Sequence, residues 1–147
     1  MKQKITLEEL KETLQDLPND KAAGPSKVKY EMLKHLGNFG KKILLILFNL
    51  YLKTSSIPLA WKKSLLYPIS KGKDWQGILS NTRPIVLLDV TRKYFTKIIT
   101  NRLSAICKKH NILKGPNFAG LQGESTSEPI HLLNNICEEA REKNKEL

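Results

Sequence analysis

Two cations flank a polar, glycine-containing loop, and each adjoins an apolar run. Lys71 follows the run at residues 65–69, and Arg83 precedes the run at residues 84–88. Two apolar runs joined by a polar loop predict an antiparallel hairpin. This hairpin would bring the two cations together at its loop end. Because Arg binds phosphate oxygens in pairs and Lys supplies a mobile point charge, the two would suit a triphosphate or a nucleic-acid backbone.

The same cations also have an ordinary explanation. Exposed Lys and Arg side chains commonly contact only solvent or an acidic neighbour. Arg83 could pair with Asp74 or Asp89 and hold the hairpin closed, although exposed ion pairs contribute little to stability. The residue types alone therefore leave both explanations open.

The positive charge of the chain is concentrated in its middle. The formal net charge is +11, but residues 21–110 hold 18 Lys or Arg against three acidic residues, a net of +15, while each end is net −2. A localised basic surface is typical of a polyanion partner, usually nucleic acid and less often an anionic membrane. The alternative is that these lysines only keep the protein dissolved.

No set of side chains in the sequence predicts a catalytic metal centre. Two-metal phosphoryl transfer needs converging acidic ligands, and none of the four aspartates forms a D-D or D-x-D pair. A zinc site would have to combine Cys107 and His110 with His131 and Cys137. The last two are six residues apart on a predicted helix and face different ways, which argues against such a site.

The N-terminal helix is signalled by a capping box. Thr6 and Glu9 form the pattern T-x-x-E, so a helix is predicted to start at Leu7 and to end before Pro18. One apolar stripe runs along it: Leu7, Leu10, Leu14 and Leu17. This stripe needs a partner surface to cover it.

Two further helices are predicted before the hairpin. A turn-rich loop at residues 19–27 leads into a short helix that should stop at Gly37. The apolar run at residues 43–52 is half the length needed to span a bilayer. It therefore predicts a buried helix near residues 41–53.

Two helices are predicted after the hairpin. Asp89 is placed to cap a long helix, with this apolar stripe: Val90, Tyr94, Ile98, Leu103 and Ile106. After a glycine-rich loop, residues 125–127 should cap a last helix, with these residues on its apolar face: Ile130, Leu133, and Ile136 or Cys137.

These elements predict a mainly helical α+β fold, with one β-hairpin packed among about five helices. A length of 147 residues with 40% hydrophobic residues suits one domain. The N-terminus has charges where a signal peptide needs an apolar centre, and two cysteines are too few for a disulfide framework. An intracellular protein is expected, without a signal peptide or a membrane-spanning segment.

Several motifs occur in a fixed order along nearly the whole chain: AAGPSKVKYEMLKHLG (22–37), PLAWK (58–62), YPISK (67–71), TRPIVLL (82–88), Lys93, NRL (101–103) and NFAGLQGESTSEPI (117–130). Together they resemble the N-terminal half of the reverse transcriptase domain of non-LTR (LINE-type) retrotransposons. The resemblance implies a nucleotidyltransferase family, and it implies that residues 1–147 are a partial domain of fingers and the start of the palm.

The resemblance also implies roles for individual residues. Lys71 and Arg83 would grip the triphosphate of the incoming nucleotide. The implied template or nucleic-acid contacts are Gly24, Pro25, Lys62, Lys93, Arg102, Gly120, Gly123 and Ser125. Two departures matter: Ser26 and Lys27 replace the usual Asp-Gly, and Glu124 stands where a basic residue is common.

The catalytic palm segments would lie beyond this chain, so no catalytic residue is assigned and the chain alone is expected to be inactive. It would bind no cofactor itself, and Mg²⁺ is expected only in the complete polymerase. The implied partners are an RNA or DNA template-primer, dNTP in the complete enzyme, and palm segments or another polypeptide that covers exposed apolar surface. The implied location is nuclear, where the element acts. The alternative is a stand-alone, non-catalytic nucleic-acid-binding or protein-interaction module derived from such a polymerase.

Overall fold

The computed structural model describes residues 3–72, 76–113 and 125–144. Within them the chain forms five α-helices and one two-stranded antiparallel sheet. The helices are α1 (Leu7–Gln15), α2 (Tyr30–Lys34), α3 (Asn38–Thr54), α4 (Val90–Lys109) and α5 (Ser127–Glu142). The strands are β1 (Leu65–Ser70) and β2 (Thr82–Leu87), and short 3₁₀ turns occupy Leu59–Lys62 and Leu79–Asn81. The predicted mainly helical α+β class is confirmed.

The chain divides into two compact units, Met1–Ile99 and Thr100–Leu147. The first unit contains α1 to α3, the hairpin and the start of α4. The second contains the remainder of α4 together with α5. The candidate triphosphate residues belong to the first unit.

The first turn of α1 is fixed as the capping box predicts. The Thr6 hydroxyl accepts a hydrogen bond from the Glu9 N–H at 3.2 Å, which satisfies one of the free amides at the start of a helix. Leu10 and Leu14 of the predicted stripe are buried, as is Leu17 beyond the helix. The stripe therefore forms one side of the core.

Asn49, the polar residue within the apolar run, anchors the segment that precedes α1. Its Oδ1 accepts the Ile5 N–H at 2.7 Å, and its Nδ2 donates to the Ile5 carbonyl at 3.0 Å. These two bonds satisfy both backbone groups of a buried residue. They connect α3 to the N-terminal segment.

An aromatic cluster joins α3, the first 3₁₀ turn and α4. The Phe48 ring meets the Tyr94 ring edge-on at a centroid distance of 5.3 Å, and the Tyr51 ring meets Trp61 in the same way at 5.1 Å. Phe95 packs beside Phe48 at 5.2 Å. Edge-on contacts of this kind add to the stabilisation from burial itself. Because the 3₁₀ turn precedes β1 and α4 follows β2, both ends of the hairpin are connected to this aromatic cluster.

The prediction that the apolar helix is buried was wrong for much of α3. Phe48 is fully buried, but Phe39 is 79% exposed, Ile46 is 68% exposed and Leu50 is also exposed. The helix is apolar on nearly all sides, whereas the core covers only one of them. Among the described residues, no helix combines the length and hydropathy required to cross a bilayer.

The predicted hairpin is confirmed, and its register is regular. Leu65 pairs with Leu87 at the open end and Ser70 with Thr82 at the loop end. Pro68 stands opposite Pro84, so neither residue of this pair can donate a ladder hydrogen bond. Most side chains of both strands are exposed.

The cap of α4 is also confirmed. The buried Asp89 carboxylate accepts the Thr91 N–H at 3.2 Å. Val90, Tyr94 and Ile98 are fully buried, but the prediction fails at Leu103, which is 48% exposed. The helical period was correct, whereas the burial of the stripe ends with Ile98.

The second unit contains the predicted last helix. Its apolar face includes Ile130, Leu133 and Ile136, as the spacing predicts, yet Leu133 is 61% exposed and the other two are exposed as well. The amphipathic pattern therefore identified the helix but did not identify a buried face.

Candidate nucleotide and nucleic-acid site

The hairpin register places Lys71 and Arg83 near each other. Arg83 stands opposite Ile69, and beyond the last strand pair the Lys71 N–H donates to the Asn81 carbonyl at 2.7 Å. Residues opposite each other share a face, and so do residues two apart on one strand. Continuing the register by one residue would put Lys71 diagonal to Arg83, and diagonal neighbours in a sheet have Cα separations of about 7–8 Å. A group with several phosphate oxygens can span such a distance.

Both cations are exposed, and Arg83 makes no ion pair within the described parts of the chain. Pairing of Arg83 with Asp89 is not formed, because that carboxylate is 7% exposed and caps α4. The other proposed partner, Asp74, lies outside the described residues. Directly after Lys71, Gly72 has a φ of +76°, in the left-handed region that favours glycine.

Gly24 lies in a position that explains why it is glycine. It is buried, and a Cβ placed on it would lie 2.4 Å from the Leu88 carbonyl oxygen and 2.6 Å from the Asp89 nitrogen. The loop therefore packs against the connection between β2 and α4. The sequence motif gave no signal of this contact. A template contact of this loop stays a prediction, and Pro25 is the half-buried residue that follows.

The replacement of the usual Asp-Gly by Ser26 and Lys27 affects the backbone conformation of a turn. The Lys27 N–H donates to the Gly24 carbonyl at 3.0 Å and closes a turn, and Lys27 has a φ of +60°. This left-handed conformation is costly for a residue with a side chain, by roughly 1–2 kcal/mol. Glycine at this position, which is usual in the resembled family, would adopt it without that cost.

Hydrogen bonds order the residues on either side of this loop. The Lys34 ammonium donates to the Leu17 carbonyl at 2.6 Å and to Asn19 Oδ1 at 2.7 Å. The Asp20 N–H donates to a Glu31 carboxylate oxygen at 2.5 Å. That hydrogen bond is the main reason why the pKa of Glu31 lies below its usual value, with smaller contributions that include the Lys29 and Lys34 charges.

Two other predicted contact residues lie on adjoining elements. Lys62 is exposed at the end of the first 3₁₀ turn, and Lys93 is half-buried in the first turn of α4. Arg92 connects these elements, since its guanidinium donates to the Trp61 carbonyl at 2.6 Å. Arg92 thus acts as a positioning residue, which sequence patterns did not distinguish from the other cations of α4.

The remaining predicted template residues belong to the second unit. Arg102 is half-buried on α4. Ser125 is exposed; its hydroxyl contacts that of Ser127 and accepts the Ser127 N–H at 3.2 Å. The N-cap residue of α5 is Thr126, whose side chain makes no capping hydrogen bond. The predicted cap is therefore confirmed in part, through Ser125 and not through Thr126. Gly120 and Gly123 lie outside the described residues, as does Glu124.

The described side chains do not provide a metal centre. No three of the described His, Cys, Asp and Glu residues are grouped so that they could hold an ion. Cys107 and Cys137 are half-buried and unbridged.

Two curated proteins are similar to nearly the whole chain. A probable RNA-directed DNA polymerase from transposon BS of Drosophila melanogaster is 32% identical over 129 residues, 88% of this chain. The RNA-directed DNA polymerase from mobile element jockey, also of Drosophila melanogaster, is 29% identical over 142 residues, 97% of this chain. The predicted resemblance to retrotransposon reverse transcriptases is confirmed. No protein-family model matches the chain.

This reverse-transcriptase-like segment is short compared with its relatives. It corresponds to 14% of the length of the transposon BS protein and 15% of the jockey protein. The assignment to the fingers, and the roles of Lys71 and Arg83, stay predictions from the motifs and the hairpin register.

Proposed function

We propose that this chain is the fingers part of a retrotransposon RNA-directed DNA polymerase, where it holds the template and the incoming nucleotide. Lys71 and Arg83 would contact the triphosphate. The observation that supports this proposal is the hairpin register, which brings the backbone of the two exposed cations close together at the loop end. The names of the two similar proteins supply the nucleotide substrate.

The two cations differ in what they contribute. The Arg83 guanidinium can donate two parallel hydrogen bonds to phosphate oxygens, which fixes the orientation of the group as well as neutralising it. The Lys71 ammonium supplies a point charge that follows the phosphates over a wider range of positions. Both act by binding and orientation. The metal-dependent transfer step belongs to palm segments of the complete polymerase, where Mg²⁺ is expected.

The template or primer would lie along the basic middle of the chain. Lys62 and Lys93 are available there as phosphate contacts, and the Arg92 bond to Trp61 connects the elements that carry them. The exposed apolar faces of α3 and the hairpin would be covered by palm segments or by another polypeptide. Activity in the nucleus is part of this proposal.

The proposal is tested by Arg83→Ala in the polymerase that contains this segment. Each charge-assisted hydrogen bond is worth about 1.5–3 kcal/mol, so the nucleotide KM should rise by roughly ten- to more than a hundredfold. Template Kd should barely change, because the side chain would contact only the nucleotide. Arg83→Lys should recover part of the loss, since it keeps the charge without the two-pronged geometry.

A matched control removes a cation at the other end of the hairpin. Lys63 is exposed two residues before β1, and Lys63→Ala changes the net charge equally but should leave the nucleotide KM unchanged. Melting temperatures are measured on the same variants. If Arg83→Ala lowers the melting temperature and leaves the nucleotide KM at the parental value, Arg83 is a structural residue and the triphosphate role is wrong.

A stand-alone protein-interaction module is the second candidate function. The exposed apolar face of α3, with Phe39, Ile46 and Leu50, favours it. Such a module would melt cooperatively as residues 1–147 and bind no RNA or DNA even at low salt. A polymerase segment would bind both.

A further inference from the structure

Three lysines that are distant in sequence line one cleft of the first unit. Lys11 comes from α1, Lys34 from the end of α2, and Lys41 from the first turn of α3. The cleft has a volume of about 330 Å³, and Leu14 and Gln15 complete its lining. Lys11 lies within the N-terminal region of net negative charge, so the distribution of charge along the sequence did not indicate this site.

Lys34 is held in place before any ligand arrives. Its ammonium donates to the Leu17 carbonyl and to Asn19 Oδ1, at 2.6 and 2.7 Å. An ammonium has three donors, so one remains for a further acceptor. Because these bonds already restrict the side chain, a ligand at Lys34 would lose less affinity to side-chain ordering than at a freely moving lysine.

The positive charge of the cleft is not balanced by a carboxylate in its lining. Within the described part of the chain, the side chains of Lys11 and Lys41 make no hydrogen bond or ion pair. Glu31, which senses the Lys34 charge, accepts a hydrogen bond from the Asp20 amide and does not line the cleft. Three cations with no carboxylate among the described residues that line their cleft attract an anion.

We propose that this cleft binds the phosphodiester backbone of a nucleic-acid strand, at a site separate from Lys71 and Arg83. Lysines contact phosphates without reading bases. The Gln15 amide can donate to a phosphate oxygen or accept from a hydroxyl. The inference rests on the proposed function in one respect, namely that the partner is nucleic acid.

The test measures binding of a single-stranded RNA 20-mer to residues 1–147 at several salt concentrations. Lys11→Gln with Lys41→Gln removes two charges that have no structural bond, and Lys34 is left intact because its bonds order the loop. Two lost phosphate contacts should reduce the log–log salt slope by about 1.4 and raise Kd roughly ten- to a hundredfold at 50 mM salt. Lys11→Arg with Lys41→Arg should keep the parental slope and show that the charge is what matters.

The matched control is Lys42→Gln with Lys53→Gln, which removes two exposed lysines of α3 that do not line the cleft. Its effect on slope and Kd should be less than half that of the cleft pair. Equal effects of the two pairs, or an unchanged slope in the cleft pair, would overturn the site while leaving RNA binding by the chain intact. Binding of phosphatidylserine vesicles in place of RNA through the same lysines would also overturn it. Absence of RNA binding by the parental chain at low salt is a different result, because it contradicts the proposed function itself.

Discussion

At the scale of single residues, close packing explains why position 24 of the motif at residues 22–37 is glycine. Its missing side chain allows the loop to approach the Leu88 carbonyl, where a Cβ would lie 2.4 Å from a backbone oxygen. We expect Gly24→Ala to destabilise the fold by about 1–3 kcal/mol, because the contacting atoms are backbone and cannot move aside easily. The measurement is chemical denaturation of both proteins.

Gly37→Ala serves as the matched control for this substitution. Gly37 precedes α3, and a Cβ there would meet nothing within 4 Å. Replacing it should cost less than the change at Gly24, about 0.5–1 kcal/mol, because alanine is a weaker N-cap residue than glycine. Similar losses in the two variants would mean that the close approach at Gly24 does not determine its identity.

At the scale of elements, Tyr94 connects α4 to α1. The hydroxyl of this fully buried residue donates to the Leu10 carbonyl. Tyr94→Phe should therefore reduce the free energy of unfolding at neutral pH by about 0.5–1.5 kcal/mol. Burial of the same side chain gives the protein a specific response to alkaline pH.

Burial raises the pKa of the Tyr94 phenol above its ordinary value. The folded state then keeps its proton at a pH where the unfolded state loses it. The stabilisation is fully present below about pH 10 and is lost as the pH rises further, because the unfolded state binds fewer protons there. Stability should thus fall more steeply above pH 10 in the parental protein than in Tyr94→Phe. The pKa of Tyr30 is also raised by burial, so the Tyr94→Phe variant should still lose some stability above pH 10. Parallel pH curves for the two proteins would contradict the assignment to Tyr94.

The helices and strands could be predicted from the sequence more reliably than which of their faces are buried. Period and capping identified α1 and α4, and the two apolar runs identified the hairpin and hence the approach of Lys71 to Arg83. The burial of α3 and of Leu103 could not be predicted, because hydropathy along a helix does not specify which faces other elements cover. The Lys11–Lys34–Lys41 cleft was also inaccessible to sequence patterns, since it depends on the packing of three helices.

At the scale of the whole molecule, the central feature is the concentration of charge between residues 21 and 110, with 18 basic and three acidic residues. The proposed partner of this basic region is a nucleic acid of any base sequence. Lysines and arginines that neutralise phosphates release condensed counterions, which makes the affinity depend on salt. An interaction module that binds through the apolar face of α3 would show no such dependence.

The most direct test measures Kd of residues 1–147 for single-stranded RNA and for duplex DNA between low and physiological salt. If the basic region binds phosphates, affinity falls linearly on a log–log plot, with a slope of about −0.7 per phosphate contact on single strands and −0.9 on duplex DNA. Strands of unrelated sequence should then differ little in affinity. A Kd that is indifferent to salt, or no binding even at the lowest salt, would contradict the account.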